Sequence, residues 1–501
     1  MPVFIAIGAA IAAAHHYSKQ RDNEAPLIDP SLLHGLTPID LLPSEERFIE
    51  EQPIRTISLY EGSSSDAAAI LWDRLNELVE KNPWLCGCIA KGGGKEIDAS
   101  ADNTPIRIWY DESANTIQPA MFQYHPRGLV QLNRTTPYAN LESALASFDV
   151  YVKPNRDILN KTQEALFKVS IVPEDTISES SPVGFALVVS MSSVLGDAYT
   201  FFKLYNMLIG STTVAQLQPM RVNRFDEDMS KLMGPNEAEY VSHITSDPSW
   251  EKFFIHDELR SSGHLQGRLF EVSGDWISDV MKSKLRHEQS TSKQQLLYNS
   301  LKSPMDQLVI KDCHGCVVKR VSTSDIIVSW FWNLVRPTVG LLEVNLREHV
   351  EVVNANHAGN YSNSIAYTPD DYKTAESIQN SQSTFCRVGK CFDPPTVLPR
   401  VRVTTRFSIV TNHLSYSKAE RKENGAHFEE KSLLNDKRFK LIRHAPLYFI
   451  SELKGVLPKR MSFLDLFQLG QDKIGCFIVA PADAMSKIDT CGIVDNTIFK
   501  F

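Results

Sequence analysis

Runs of apolar residues alternate with amphipathic stretches along most of this chain. Apolar and β-branched residues that alternate with polar ones predict strands, and an apolar stripe at helical spacing predicts a helix that Asp66 caps and Asn82-Pro83 ends. The predicted strands are 54–60, 85–90, 106–110, 165–172, 184–191, 269–272, 341–346, 362–367, 401–410 and 474–479, with a hairpin over 308–321. Further helices are predicted over 197–209, 240–254 and 276–285, and after a start at 322–325.

The predicted elements form two groups, separated by an irregular segment from Gly210 to His264 that contains three prolines. Strands mixed with helices in two halves predict an α+β protein with two lobes. We therefore divide the chain into an apolar N-terminal segment with a polar linker, a first lobe, a crossover and a second lobe. Their bounds are 1–30, 31–215, 216–265 and 266–501.

The segment 192–198, Ser-Ser-Val-Leu-Gly-Asp-Ala, lies between a strand too apolar for a sheet edge and an amphipathic helix. It resembles the His-x-x-x-Asp-Gly motif of the CoA-dependent acyltransferase superfamily, which includes chloramphenicol acetyltransferase, plant acyltransferases and peptide-synthetase condensation domains. Four further segments resemble parts of these families in the same order. They are Asn-Pro-Trp-Leu at 82–85, the helix start Ser-Thr-Ser-Asp at 322–325, Val-Asn-Leu-Arg at 344–347 and Gly-Asn-Tyr-Ser-Asn at 359–363.

The resemblance implies two chloramphenicol-acetyltransferase-like lobes, each a mixed β-sheet flanked by helices, with a cleft or tunnel between them. It implies acyl transfer from acyl-CoA, as a co-substrate and not a bound cofactor, to a hydroxyl or amine of a small molecule. Asp197 takes the structural aspartate position, with Arg347 as its candidate partner, although an ordinary helix N-cap also explains Asp197. The candidate substrate-binding residues are Ala198, Asn360, Tyr361, Asn363 and His413.

Two departures from the motif put the reaction in question. Ser193 stands at the position of the catalytic histidine, and Ala198 stands at the position of the glycine. A histidine that titrates near neutral pH can accept the acceptor's proton, whereas serine cannot. The alternative hypothesis is therefore a catalytically inactive relative that binds a small ligand or a protein partner in the same cleft. An Asp-Phe-Gly-type motif of the plant branch is also missing near Asp465.

Several histidines and cysteines are candidates for a replacement base or for a metal site. His357 is typical of a solvated loop, and His413 follows a predicted strand where it could line the lobe interface. Cys313-His314-Gly315-Cys316 with Cys386 and Cys391 could hold zinc, but the first pair brackets a hairpin turn, which favours core cysteines. We expect no metal site, and the glycines at 92–94 lack the rest of a phosphate-binding loop.

The composition of the chain limits the kinds of partner and location that we expect. A net charge of −8 argues against a nucleic-acid partner, which would need a basic surface, and eight cysteines are too few for a disulfide scaffold. Residues 2–14 are apolar but shorter than a membrane span, so a signal peptide, a docked helix or peripheral membrane contact all fit. We expect a cytoplasmic monomer, with secretory or endoplasmic-reticulum association as the alternative.

Overall fold

The computed structural model describes most of both predicted lobes. The described residues are 28–92, 105–145, 148–175, 183–234, 237, 265–280, 321–385, 405–417, 433, 436–448, 460–470 and 473–500. The fold is α+β and two-lobed, as the sequence predicts. The apolar segment at 2–14, the helix at 240–254, the hairpin at 308–321 apart from Val321, and the cysteines at 313, 316, 386 and 391 lie outside the described residues.

The first lobe is built on a five-stranded sheet and a smaller three-stranded sheet. The larger sheet has the order β12-β2-β7-β6-β5, and the smaller one has the order β1-β4-β3. Their strands are β1 Thr37–Asp40, β2 Ile54–Glu61, β3 Cys88–Lys91, β4 Ile106–Tyr110, β5 Phe122–Tyr124, β6 Phe167–Pro173, β7 Gly184–Met191 and β12 Lys440–Pro446. The helices of this part are α1 Ser64–Lys81, α2 Tyr138–Leu145, α3 Asn155–Ile158 and α4 Ala198–Ile209, and α5 Phe225–Met233 follows within the predicted crossover segment.

The second lobe is built on a seven-stranded mixed sheet with the order β10-β9-β11-β13-β14-β8-β15. Its strands are β8 Leu265–Val272, β9 Val339–Asn345, β10 Ser362–Tyr367, β11 Phe407–Asn412, β13 Ser462–Gly470, β14 Lys473–Pro481 and β15 Val494–Lys500. Its helices are α6 Thr323–Val335, α7 Ala375–Thr384, α8 Leu414–Ser417 and α9 Ala482–Thr490, and residues 274–280 are also helical.

The two lobes share an apolar interior. Strand β12 follows most of the second lobe in the chain, yet it pairs antiparallel with β2 of the first lobe. One core cluster joins side chains of both large sheets, from Ile57 and Leu187 to Leu341 and Phe463. Burying apolar area is the dominant stabilising contribution to folding. The lobe boundary is therefore crossed by both a strand pair and a continuous core.

The local sequence patterns predict the bounds of some elements correctly and do not predict others. Strands β4, β7 and β10 have the predicted bounds, and α6 begins at the predicted site, with Ser322 as its N-cap. The helix predicted to begin at Asp66 instead begins at Ser64, because the hydroxyl of Ser63 caps it and accepts a hydrogen bond from the Asp66 backbone. No helix of the described residues is both long enough and apolar enough to cross a membrane.

Candidate functional site

The motif loop 192–197 joins β7 to α4. Every residue of β7 is buried, and its run of apolar and β-branched residues suits a central strand. Helix α4 begins after Asp197, whose side chain accepts a hydrogen bond from the Thr200 backbone at 3.0 Å. The loop is thereby fixed at both ends, and it faces the second lobe.

Ser193 is fully buried, and its hydroxyl forms hydrogen bonds to other residues of the chain. The Oγ atom accepts from Asn155 Nδ2 at 2.7 Å and donates to the carbonyl of Phe48 at 3.1 Å. Neither partner can take a proton from the hydroxyl, so these contacts do not activate Ser193 as a nucleophile. Asn155 was not singled out in the sequence, since nothing local connects it with a loop 38 residues away.

Asp197 and Arg347 form a buried ion pair across the lobes. Arg347 Nη1 lies 2.7 Å from Asp197 Oδ2, and each side chain is 1% exposed. The same carboxylate accepts from the backbone of Tyr361 at 3.0 Å. Arg347 also donates to the carbonyl of Gly359 at 2.8 Å and lies 4.5 Å over the ring of Tyr199. Asp197 therefore acts both as the N-cap of α4 and as the ionic partner of Arg347.

A second buried ion pair holds the other side of the loop. Glu45 lies 2.9 Å from Arg221, which also donates to the carbonyl of Val194 at 2.9 Å. Asn360 donates to Glu45 through its backbone and its side-chain amide, and to the Ser193 carbonyl at 3.0 Å. Neither Glu45 nor Arg221 was identified from the sequence, because their contacts join distant segments of the chain.

Gly359 explains why the segment 359–363 needs a glycine. Its φ of +138° is one that side-chain-bearing residues rarely adopt, and an added Cβ would lie 3.0 Å from the Arg221 guanidinium. In this conformation the carbonyl of Gly359 accepts hydrogen bonds from the Arg347 guanidinium and from the backbone N–H of Asp197. This segment therefore supports the motif loop through its backbone.

The candidate substrate-binding residues have different surroundings. Ala198 is the buried first residue of α4, and Tyr361 is fully buried with its hydroxyl accepting from the Val222 backbone. Asn363 lies on β10 and contacts Met229 of α5. Asn360 holds the motif loop, as described above. These four residues are thus packed against other residues of the chain. His357 is half-buried, and its carbonyl accepts from Arg347.

His413 lies at the lobe interface, in contact with a buried carboxylate. Its Nδ1 is 3.1 Å from Asp465 Oδ1, which also accepts from Thr411 at 2.6 Å. Tyr448 donates to the other oxygen of Asp465 at 3.1 Å. His413 Nε2 is buried and has no hydrogen-bond partner in the part of the chain that the structure describes. An imidazole oriented in this way by a carboxylate is a common arrangement for a general base.

His444 of β12 faces this group from the first lobe. Its Nδ1 lies 2.8 Å from Ser58 Oγ, which in turn contacts the hydroxyl of Tyr205 at 2.7 Å. Burial, assisted by the charge of His413, lowers the pKa of His444 to about 4. The imidazole is therefore neutral at physiological pH.

Acid should weaken the fold through His444. With a pKa near 6.5 when unfolded and about 4 when folded, the unfolded chain binds more protons between these pH values. The contribution of His444 to stability should therefore fall as pH drops through this window, by up to about 3 kcal/mol. Urea denaturation between pH 7 and 4 should give a shallower dependence for His444→Gln than for the natural chain. An exposed control, His34→Gln, should keep the natural slope, and equal slopes in all three chains would contradict the expectation.

Glu51 is an unexpected buried carboxyl group near the motif loop. It follows the 3₁₀ helix Pro43–Glu50, is 1% exposed, and neither carboxylate oxygen has a hydrogen-bond partner among the residues described above. Its backbone carbonyl accepts from Asn155 Nδ2 at 3.0 Å, the same atom that contacts Ser193 Oγ. Burial raises the pKa of Glu51 to about 8, against the opposing effect of Arg47.

Comparisons with solved structures identify similar folds. TRI101 of F. sporotrichioides, complexed with coenzyme A and T-2, matches at a TM-score of 0.51 and 11% identity over 90% of this chain and 97% of that one. TRI101 of F. graminearum, with coenzyme A and deoxynivalenol, gives 0.51 and 13% over 91% and 97%. The condensation domain of the Monacolin K polyketide synthase MokA gives 0.50 and 10% over 93% and 98%.

Comparisons of sequence give no match. No protein-family model matches the chain, and no curated protein matches it. The similarity to solved structures is thus one of fold, and it extends over nearly the whole length of both chains.

Proposed function

Because the chain has the CoA-dependent acyltransferase and condensation fold, we propose that it binds an acyl-CoA and a small-molecule acceptor in the cleft between its lobes. There it transfers the acyl group to a hydroxyl or amine without an imidazole at position 193. The TRI101 structures contain coenzyme A together with T-2 or deoxynivalenol, which makes a CoA thioester and a small alcohol reasonable ligands.

The observation that carries this proposal is the buried Asp197–Arg347 pair. It joins the motif loop of the first lobe to the end of β9 in the second lobe. A buried ion pair is costly to desolvate, and fixing a geometry is one use that offsets this cost. Acyl transfer gains much of its rate from holding donor and acceptor in a reactive geometry, which a rigid loop supports.

A second candidate function is binding without turnover. It is favoured by the contacts of Ser193, whose hydroxyl is held by Asn155 and by the carbonyl of Phe48. In that case the cleft would present a ligand or recognise a partner while the chemical step is absent. The two candidates share the binding event and differ only in whether the thioester is consumed.

Binding and turnover of acetyl-CoA test both candidates. Isothermal titration calorimetry should show saturable binding of acetyl-CoA to the natural chain, and a thiol reagent should detect CoA release with deoxynivalenol or water as acceptor. Binding without thiol release would favour the second candidate. Absence of binding to both the natural chain and Ser193→His would show that the proposal is wrong.

A further inference from the structure

Three charged side chains that act on one another electrostatically have buried polar atoms without hydrogen-bond partners among the described residues. Both carboxylate oxygens of Glu51, Nε of Arg47 and Oε2 of Glu343 are buried, and none has a hydrogen-bond partner among the described residues. Buried polar groups are nearly always paired, so an unpaired set calls for an explanation such as a catalytic role. Arg47 and Glu51 belong to the first lobe, whereas Glu343 lies on β9 of the second.

These groups lie within range of one another's charge. Arg47 opposes the rise in the pKa of Glu51, whereas the carboxylate of Glu343 adds to it. Asp226 of α5 also acts on Arg47, and it is itself held by Ser44 at 2.7 Å. Glu343 keeps one hydrogen bond, from Ser362 at 2.8 Å. Glu51 is thus the one carboxyl of this group without any hydrogen bond to its side chain.

Glu51 is connected through Asn155 to Ser193, the residue at the position of the missing imidazole. The amide nitrogen of Asn155 lies 3.0 Å from the Glu51 carbonyl and 2.7 Å from Ser193 Oγ. The Asn155 side chain therefore holds both the backbone of Glu51 and the hydroxyl of the residue at the family's histidine position. Glu51 belongs to the first lobe and Glu343 to the second, and the charge of Glu343 acts on Glu51 across the lobes.

We propose that the carboxylate of Glu51 replaces the absent imidazole as the group that accepts the proton of the acceptor hydroxyl or amine. This inference rests on the proposed acyl transfer. A carboxyl titrating near pH 8 is ionised to a useful extent at neutral and mildly alkaline pH, and it is basic enough to accept a proton in the transition state.

The reaction balances with these groups alone. The acceptor's O–H or N–H proton passes to an oxygen of Glu51 while the acceptor atom bonds to the thioester carbonyl carbon. The tetrahedral intermediate then collapses, and its C–S bond breaks. The proton on Glu51 passes to the leaving sulfur, which releases CoA as a thiol and returns Glu51 to its carboxylate form.

Glu51→Gln tests the inference with little change in shape. Thiol release from acetyl-CoA, with deoxynivalenol or water as acceptor, should fall by about 10²- to 10⁴-fold, the usual loss when a general base is removed. Glu46→Gln is the matched control, because Glu46 is an exposed residue of the same 3₁₀ helix and should leave the rate unchanged. The natural rate should rise with pH and level off above about pH 8, whereas Glu51→Gln should lose this rise.

The possible failures are distinguishable. If the natural chain releases thiol and Glu51→Gln does so equally fast with the same pH profile, Glu51 is not the base, while acyl transfer stands. His413→Gln, measured in parallel, would then show whether the His413–Asp465 pair supplies it. If acetyl-CoA binds but only Ser193→His releases thiol, the inference is again wrong. If no variant binds acetyl-CoA, the proposed function fails and this inference fails with it.

Discussion

Asp197→Ala should lower the free energy of unfolding by about 3–5 kcal/mol, because it leaves the guanidinium of Arg347 buried without a counter-charge. The carboxylate also accepts hydrogen bonds from the backbones of Thr200 and Tyr361, so the variant leaves these donors unpaired too. Urea denaturation measures the loss. Acetyl-CoA affinity should fall in the same variant, since the motif loop loses its link to the second lobe.

Two further variants distinguish the effect of the ion pair from a general loss of stability. In Asp197→Ala with Arg347→Met, the uncompensated charge is gone, so the double variant should be less destabilised than the sum of the two single variants. Lys231→Ala removes an exposed ion pair with Glu227 and should cost no more than about 1 kcal/mol. If Asp197→Ala costs no more than Lys231→Ala, the pair does not hold the loop.

The sequence predicts the elements around the motif loop because their signals are local. Strand β7 is an apolar run and β10 is the segment Ser-Asn-Ser-Ile-Ala-Tyr, and both have the predicted bounds. Strands β1, β5, β12, β13 and β15 were not predicted. In β13, buried positions occupy both faces, so alternation gives no signal there. Strand β12 crosses to the other lobe, which no local pattern indicates.

The residues of the candidate site also fall into those that the sequence identifies and those that it does not. Ser193, Asp197 and Arg347 were identifiable because motif order and spacing survive in the sequence. Glu51 was not, since adjacent glutamates at 50 and 51 look like an exposed acidic pair, and only tertiary packing buries the second one. Asp465 was noticed only as part of an incomplete plant-type motif. Its role as the partner of His413 depends on the parallel pairing of β11 with β13.

Ser193→His should increase thiol release most strongly at acidic pH. At pH 6, a carboxyl with a pKa of about 8 is only about 1% ionised, whereas a histidine of ordinary pKa is substantially neutral. About a quarter of a histidine with a pKa of about 6.5 is neutral at pH 6, so we expect a gain of about twentyfold at pH 6 that shrinks toward pH 9, where Glu51 is itself ionised. Rates of acetyl-CoA turnover measured across this range for both chains would test the expectation.

The size of the new ring calls for controls on folding. Ser193 is fully buried against Asn155, so an imidazole must displace that amide at a cost of about 1–3 kcal/mol in stability. Ser193→His with Ala198→Gly restores both family positions and shows whether the Ala198 methyl group limits the reaction. In Glu51→Gln, Ser193→His should restore turnover at every pH. A gain that is uniform with pH in the natural background would instead mean that the natural chain has no base, and would favour binding without turnover.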